Sequence, residues 1–267
     1  MPDLLLRQDD TGIARLTLNA PSSLNALSDA MLAALGAEFD RLAGDRSVRV
    51  IILQGAGRAF CAGHDLKEMQ AARSGPDQGA AYFADLFARC SAVMQAIPAL
   101  PQPVIASVHG IATAAGCQLA ASCDLVVAAA SARFGVNGVN IGLFCSTPMV
   151  ALSRKVPPAV AFEMLTTGAF LSAARAREVG LVNRIAPDDT LAAETTALAQ
   201  ILAAKLASVV TIGKRAFYDQ LGLPLADAYA LTGAVMQHNL MMRDTDEGIR
   251  AFLDKRPPDW AVDPPPT

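Results

Sequence analysis

The chain lacks an excess of charge of either sign: 22 Lys and Arg stand against 25 Asp and Glu, a formal net charge of −3. That balance excludes a global attraction to nucleic acid or to an anionic membrane, so a phosphate-bearing ligand would need a local cluster. The five cysteines are scattered without paired metal spacing, and His64, His109 and His238 form no metal-ligand pair. No metal site is expected. No G-x-S-x-G elbow occurs, which removes the usual signature of a serine hydrolase. Gly55-Ala56-Gly57-Arg58-Ala59-Phe60 imitates a dinucleotide fingerprint, but Phe60 stands where the third glycine belongs and no well-placed acid follows. The N-terminus has no basic-then-apolar leader, and with unpaired thiols this gives the expectation of a reducing cytoplasm.

Charge is also missing from residues 97–123, a stretch long enough to span a bilayer. Pro98, Pro101, Pro103, Gly110 and Gly116 would break such a span, and Gln102, His109 and Gln118 would sit inside it. The stretch reads instead as a buried strand, a tight turn and a helix start.

With 52% hydrophobic and 18% charged residues, 267 residues suffice for one large core or a core with an appendage. Residues 4–6 and 13–18 read as a hairpin turning at residues 9–12, and a helix capped near Ser28 carries Met31, Leu32, Leu35, Phe39 and Leu42 at helical spacing. Residues 48–53 form a strand covered on both faces. Residues 75–79 read as a mobile loop before a helix that ends in the proline-rich residues 98–103. Residues 125–128 form another buried strand, and residues 133–142 read as irregular. This alternation points to a layered α/β core. From residue 147 the chain becomes largely helical, with Ser172 as a cap and helices over 191–206, 225–240 and 247–254. Residues 264–267 read as a frayed tail.

Two stretches carry the chemistry. Residues 104–124 pass from β-branched residues through Gly110 into the small residues Ala114, Ala115 and Gly116, which let another group approach the free N–H groups of a helix start. The same small residues also permit tight helix-on-sheet packing. Residues 59–69, AFCAGHDLKEM, place a glycine turn before a polar helix. If the N–H groups of His64 and Ala115 converge, they form a two-donor site for a developing oxyanion. The His64 imidazole itself is either a turn residue without a chemical role or an acid–base group.

Phe60-Cys61-Ala62-Gly63-His64-Asp65-Leu66, Val104-Ile105-Ala106, the Ala114-Ala115-Gly116-Cys117 turn and Cys123-Asp124-Leu125 resemble the crotonase, or enoyl-CoA hydratase/isomerase, superfamily. The resemblance runs from residues 18–27 to residues 247–256. It implies an α/β fold: a crotonase-like ββα-spiral core, taken as residues 1–200, and a C-terminal helical trimerisation region, residues 201–267. A homotrimer or a dimer of trimers is the implied assembly. The implied ligand is an acyl-CoA thioester, with coenzyme A as part of the substrate and no tightly bound cofactor. His64 and Ala115 match the oxyanion donors, and Ser23, Leu24, Ala26, Ala62, His64, Asp65, Leu66, Lys67 and Lys255 match the positions that meet CoA. Lys255 reads equally as an exposed helix-end lysine, and Ala115 stands where the family has glycine.

The family's two hydratase glutamates correspond here to Gln118 and Gly138. Glutamine cannot take a proton and glycine has no side chain, so ordinary hydration should be weak or absent. Asn137, Asn140, Cys145 and Ser146 are the candidate replacements, Cys145 being the only nucleophile and, alternatively, a small buried apolar residue. Asp65 and Asp124 read as acceptors of backbone N–H groups at turns. Three functions remain open: a lyase-class enzyme with an altered acid–base set, a non-catalytic acyl-CoA-binding or regulatory protein, and a thioester hydrolase or decarboxylase.

Overall fold

A computed structural model describes residues 3–260. β1 (Leu5–Asp10) and β2 (Ile13–Leu18) pair antiparallel through Thr11 and Gly12, both at positive φ, so the turn is two residues long and Asp9 and Asp10 belong to the strand. Positive φ at both turn positions matches the twist of the flanking strands. Ser28 accepts the Met31 N–H at the start of α1 (Asp29–Gly44), whose Met31, Leu32, Leu35, Phe39 and Leu42 are all buried, as their spacing predicts.

β3 (Val50–Gly55) follows, then α2 (Leu66–Ala72) and α3 (Ala80–Ala99). The Asp77 carboxylate orders residues 75–79 by accepting the Gly79 and Ala81 N–H groups. α3 continues through Pro98 into its last turn rather than stopping before it. β4 (Val104–Val108) leads not straight into a helix but into a short strand, β5 (Ile111–Thr113), and only then into α4 (Ala115–Ser122). β6 (Leu125–Ala129) is buried as expected. The segment expected to be irregular contains β7 (Arg133–Gly135) and a 3-10 turn, Asn137–Ile141.

After β2 every added strand of the main sheet is parallel to its neighbour, in the order β1-β2-β3-β4-β6-β9, where β9 is Arg184–Ala186. The register sets Ile51 beside Val104 and Ile105 beside Leu125. Parallel strands need cover on both faces, and β3 and β4 are buried along their apolar runs accordingly. A second, three-stranded sheet joins β5 and β7 to β8 (Leu171–Ser172). Three short strands this close to glycine turns give too little apolar periodicity to be seen in sequence.

The remaining helices are α5 (Pro148–Lys155), α6 (Pro158–Thr167), α7 (Ala173–Glu178), α8 (Leu191–Ala203), α9 (Ala207–Gln220), α10 (Leu225–Leu240) and α11 (Arg243–Leu253). Ser172 caps α7 through the Arg175 N–H, and α8 packs on β3, β4 and β6. α9 is anchored to the core by charge: Asp124 accepts from the Val104 N–H at 2.6 Å, from Lys214 Nζ at 2.7 Å and from the Tyr218 hydroxyl at 2.7 Å. α10 packs on α9 and α11 on α10, leaving Leu225, Tyr229, Met236, Phe252 and Leu253 exposed. No single described helix is long and apolar enough to cross a bilayer. The tail at residues 264–267 lies outside the described residues.

The five cysteines are unpaired and buried. Burial pushes the thiols of Cys61, Cys117 and Cys123 up to about 12 and that of Cys90 up to about 11. Unfolded thiols ionise near 9, so above that pH the unfolded state holds fewer protons and stability falls as pH rises. Lys155 and Lys214, lowered by burial, act in the opposite direction below their ordinary 10.5, and Tyr218, raised by burial, adds to the thiols. We expect the unfolding free energy from urea titration to be lower at about pH 11 than at neutral pH, falling by on the order of 1 kcal/mol per pH unit for each titrating thiol; a flat profile would contradict this.

Candidate functional site

The site begins with a constraint at Gly116. A Cβ there would overlap the Cys61 carbonyl, so only glycine lets the first turn of α4 lie on the backbone of residues 60–63. That backbone runs alongside β5: the Cys61 N–H donates to Ile111 and the Thr113 N–H donates to Cys61, at 3.2 and 3.0 Å. Gly63, at φ +91, sits against the turn that opens α4, its Cβ direction meeting the Ala115 nitrogen at 3.1 Å. The backbones at Gly63 and Ala115 thus lie close together, and neither the His64 nor the Ala115 N–H makes a hydrogen bond among the described residues.

The positive φ of this turn falls one residue before Ala115. Ala115 opens α4, and it is Ala114, at φ 49 and ψ −121, that holds the left-handed turn. An alanine there carries strain of about 1–3 kcal/mol. The conformation turns the Ala114 N–H to the Gly135 carbonyl, at 2.9 Å, and leaves that of Ala115 facing outward from the helix start.

Residues 20–27 close onto this turn. The Ala62 N–H donates to Leu24 at 3.0 Å and the Leu27 N–H to Gly63 at 2.8 Å, which sets Leu24 and Ala26 beside Ala62 and His64. Leu24 and Asn25 both adopt positive φ. Asn25, fully buried, accepts the Ala20 N–H and donates to the Ala56 and Ala59 carbonyls. Its bracketing role was missed in sequence; its signal is that asparagine tolerates the left-handed region and carries both a donor and an acceptor. Ser23 turns back to bond the Ala20 carbonyl. Asp65 caps α2 through the Lys67 N–H at 2.8 Å, leaving Leu66 and Lys67 exposed on its first turn. Lys255 stands apart, exposed beyond α11.

The side chains form an unusual set. Gln118 is 5% exposed and its Oε1 has no partner; both imidazole nitrogens of His64 are buried and unbonded as well. Burial lowers the His64 pKa, so the ring is neutral at pH 7, and it meets Phe87 edge-on at 5.8 Å. The Gly138 carbonyl accepts the Leu143 N–H at 3.0 Å; a Cβ on Gly138 would overlap the Leu143 carbonyl and come within 2.9 Å of Cys145 Sγ. Cys145 is buried with its thiol pushed up, so it is an apolar filler rather than a thiolate. Asn137 Oδ1 is occupied by the Thr113 hydroxyl, Asn140 packs against Gly168, and the Ser146 hydroxyl makes a long contact to the Phe144 carbonyl, which its own N–H meets at 2.8 Å.

A cavity of about 330 Å³ opens beside this turn, lined by Leu66, Met69, Phe83, Phe87 and Leu143. A larger concavity, about 520 Å³, lies at the far ends of β3, β4 and β6 around Arg58, His109 and Asp188 and is an open groove away from the paired N–H groups. No metal-binding group of His, Cys, Asp or Glu exists among the described residues.

Two substitutions test these constraints. Ala114→Gly should relieve the turn and raise stability by about 1 kcal/mol, the strain released exceeding the entropy that glycine adds to the unfolded chain. Gly138→Ala should lower the melting temperature, because the loop at residues 138–145 must open to admit a methyl group; thermal unfolding of both variants measures the two effects.

The enoyl-CoA hydratase/isomerase family model matches residues 8–263. The mitochondrial enoyl-CoA hydratase domain-containing protein 3 of Xenopus laevis is 46% identical over 257 residues, covering 96% of this chain and 86% of its own. A crystal structure of enoyl-CoA hydratase from Mycobacterium smegmatis superposes with a TM-score of 0.93 at 54% identity, covering 97% of this chain and 99% of that one. Human enoyl-CoA hydratase domain-containing protein 3 gives 0.91 at 45%, covering 97% and 100%. The expectation of a cytoplasmic location is overturned: the Xenopus, rat and human relatives are all named mitochondrial, and scattered thiols do not discriminate between such compartments. In sequence, in the parallel sheet with its N–H-bearing turn, and in the near-complete superposition, the chain belongs to the enoyl-CoA hydratase/isomerase family and has the crotonase fold.

Proposed function

We propose that the protein binds an acyl-CoA thioester and stabilises its enolate between the His64 and Ala115 N–H groups. The observation that carries this reading is the two unbonded N–H groups, together with a cavity large enough for an acyl group whose Phe87 wall meets the His64 ring. Such donors act where charge develops, and removing one costs about a hundred- to a thousand-fold in rate. Because they belong to the backbone, the chemistry survives any side chain at His64 that keeps the turn. Ser23, Leu24, Ala26 and Ala62 line the approach for the nucleotide half of CoA, with Asp65, Leu66 and Lys67 at the start of α2. Lys255 acts from a neighbouring subunit in a trimer or a dimer of trimers built through residues 201–267; the exposed apolar residues of α10 and α11 support that assembly.

The reaction is lyase-type but not ordinary hydration. At the first glutamate position Gln118 orients a water or a substrate oxygen without accepting its proton. At the second, Gly138 is closed over by Leu143 and Cys145, so no carboxylate fits there without rebuilding the loop. Losing a general acid–base group costs about 10²- to 10⁴-fold. We assign any residual proton transfer to the neutral imidazole of His64. The alternative readings are an acyl-CoA-binding or regulatory protein and a thioester hydrolase or decarboxylase, both favoured by the two absent carboxylates.

Crotonyl-CoA turnover measured beside calorimetric binding of CoA, acetyl-CoA and longer acyl-CoAs tests the reading. We expect saturable acyl-CoA binding with hydration about 10²-fold or more below a two-glutamate enzyme. Robust hydration would show that the glutamate positions are dispensable; absence of acyl-CoA binding would remove the proposal.

A further inference from the structure

The cavity whose Phe87 wall meets the His64 ring is not uniformly apolar. Leu66, Met69, Phe83, Phe87 and Leu143 form its walls, and Arg73, at the far end of α2, supplies its one cationic side chain. Arg73 follows the last residue of α2, a position where basic residues often serve only to balance the helix dipole. Here the side chain does not fold back: among the described residues its guanidinium makes no hydrogen bond or ion pair, and it lies over the Phe83 ring of α3 at 5.6 Å. A cation held on an aromatic face at the edge of an apolar pocket keeps all five N–H donors available.

α2 spans the distance between the two chemistries. It begins two residues after His64, and at 1.5 Å per residue Arg73 lies about 10 Å along the axis from Leu66. A straight acyl chain whose thioester carbonyl sits at the His64 and Ala115 N–H groups would pass Leu66, Met69 and Phe87 and bring its far end to Arg73. A chain ending in a methyl group would leave the guanidinium unanswered there. A chain ending in a carboxylate would meet it in the bidentate geometry that arginine favours.

Resting on the acyl-CoA reading above, the geometry points to an ω-carboxyacyl-CoA as the class of ligand, with Arg73 recognising the terminal carboxylate. Arg73 is a specificity residue and touches no reacting atom.

The comparison that tests this is octanoyl-CoA against suberoyl-CoA, which have equal carbon counts and differ in the terminal carboxylate. Calorimetric affinities are measured for the unmodified protein, R73Q and R73E, with CoA alone as a further probe. Arg73 is exposed, so solvent screening limits the effect. We expect R73Q to weaken suberoyl-CoA by about three- to tenfold and R73E by more, with octanoyl-CoA and CoA changed less than about twofold. Equal losses for both acyl-CoAs and for CoA would assign Arg73 to the CoA phosphates and overturn the inference, as would no change for either. Failure of the unmodified protein to bind any acyl-CoA would overturn the acyl-CoA reading itself, an outcome distinct from both.

Discussion

Close approach of two backbones governs this molecule. The first turn of α4 lies on the carbonyl of Cys61 with no room for a Cβ between them, and almost every feature of the site follows from that contact. Residues 60–63 accordingly run beside β5, with Gly63 at positive φ against the start of α4. A site made of main-chain donors is tolerant of side-chain change but intolerant of any bulk that separates the two backbones.

The second constraint is conformational. Leu24, Asn25 and Ala114 occupy positive φ without being glycine, and all three lie within the loops that meet at the donor pair. Strain of this kind persists only where surrounding bonds determine the backbone, and the Asn25 bracket with the Ala114 to Gly135 hydrogen bond supplies that determination. Gln118 lies buried on α4, whereas Gly138 is closed over by its own loop. A larger side chain at position 138 would therefore have to change the shape of that loop.

How much was legible in sequence depended on whether the signal was local. The apolar spacing of residues 31–42, the Ser28, Asp65 and Ser172 caps and the buried strands follow from periodicity and capping chemistry, and the structure has them. β5, β7, β8 and β9 are too short to show a period, and α9 lacked a strong start signal, with no side-chain cap at Leu206. The proximity of residues 60–64 to 114–116 is non-local and was supplied by the family resemblance. The position of the strain, at Ala114 rather than Ala115, depended on where the helix begins, a boundary that sequence fixes poorly. Arg73 carried no motif and becomes visible only when α2 and α3 enclose a cavity.

The polar clasp around Asp124 divides the C-terminal helices into two mechanical classes. α9 is tied to the core through Lys214 and Tyr218, and Lys214 also donates to the Ile97 and Gln102 carbonyls, so releasing α9 means exposing an ammonium and a carboxylate that hold one another. α10 packs on α9 and α11 on α10, where the Asn239 amide donates to the Thr245 hydroxyl at 3.1 Å. The amides of α9, held by that clasp, are accordingly expected to exchange with solvent more slowly than those of a helix packed on the surface alone.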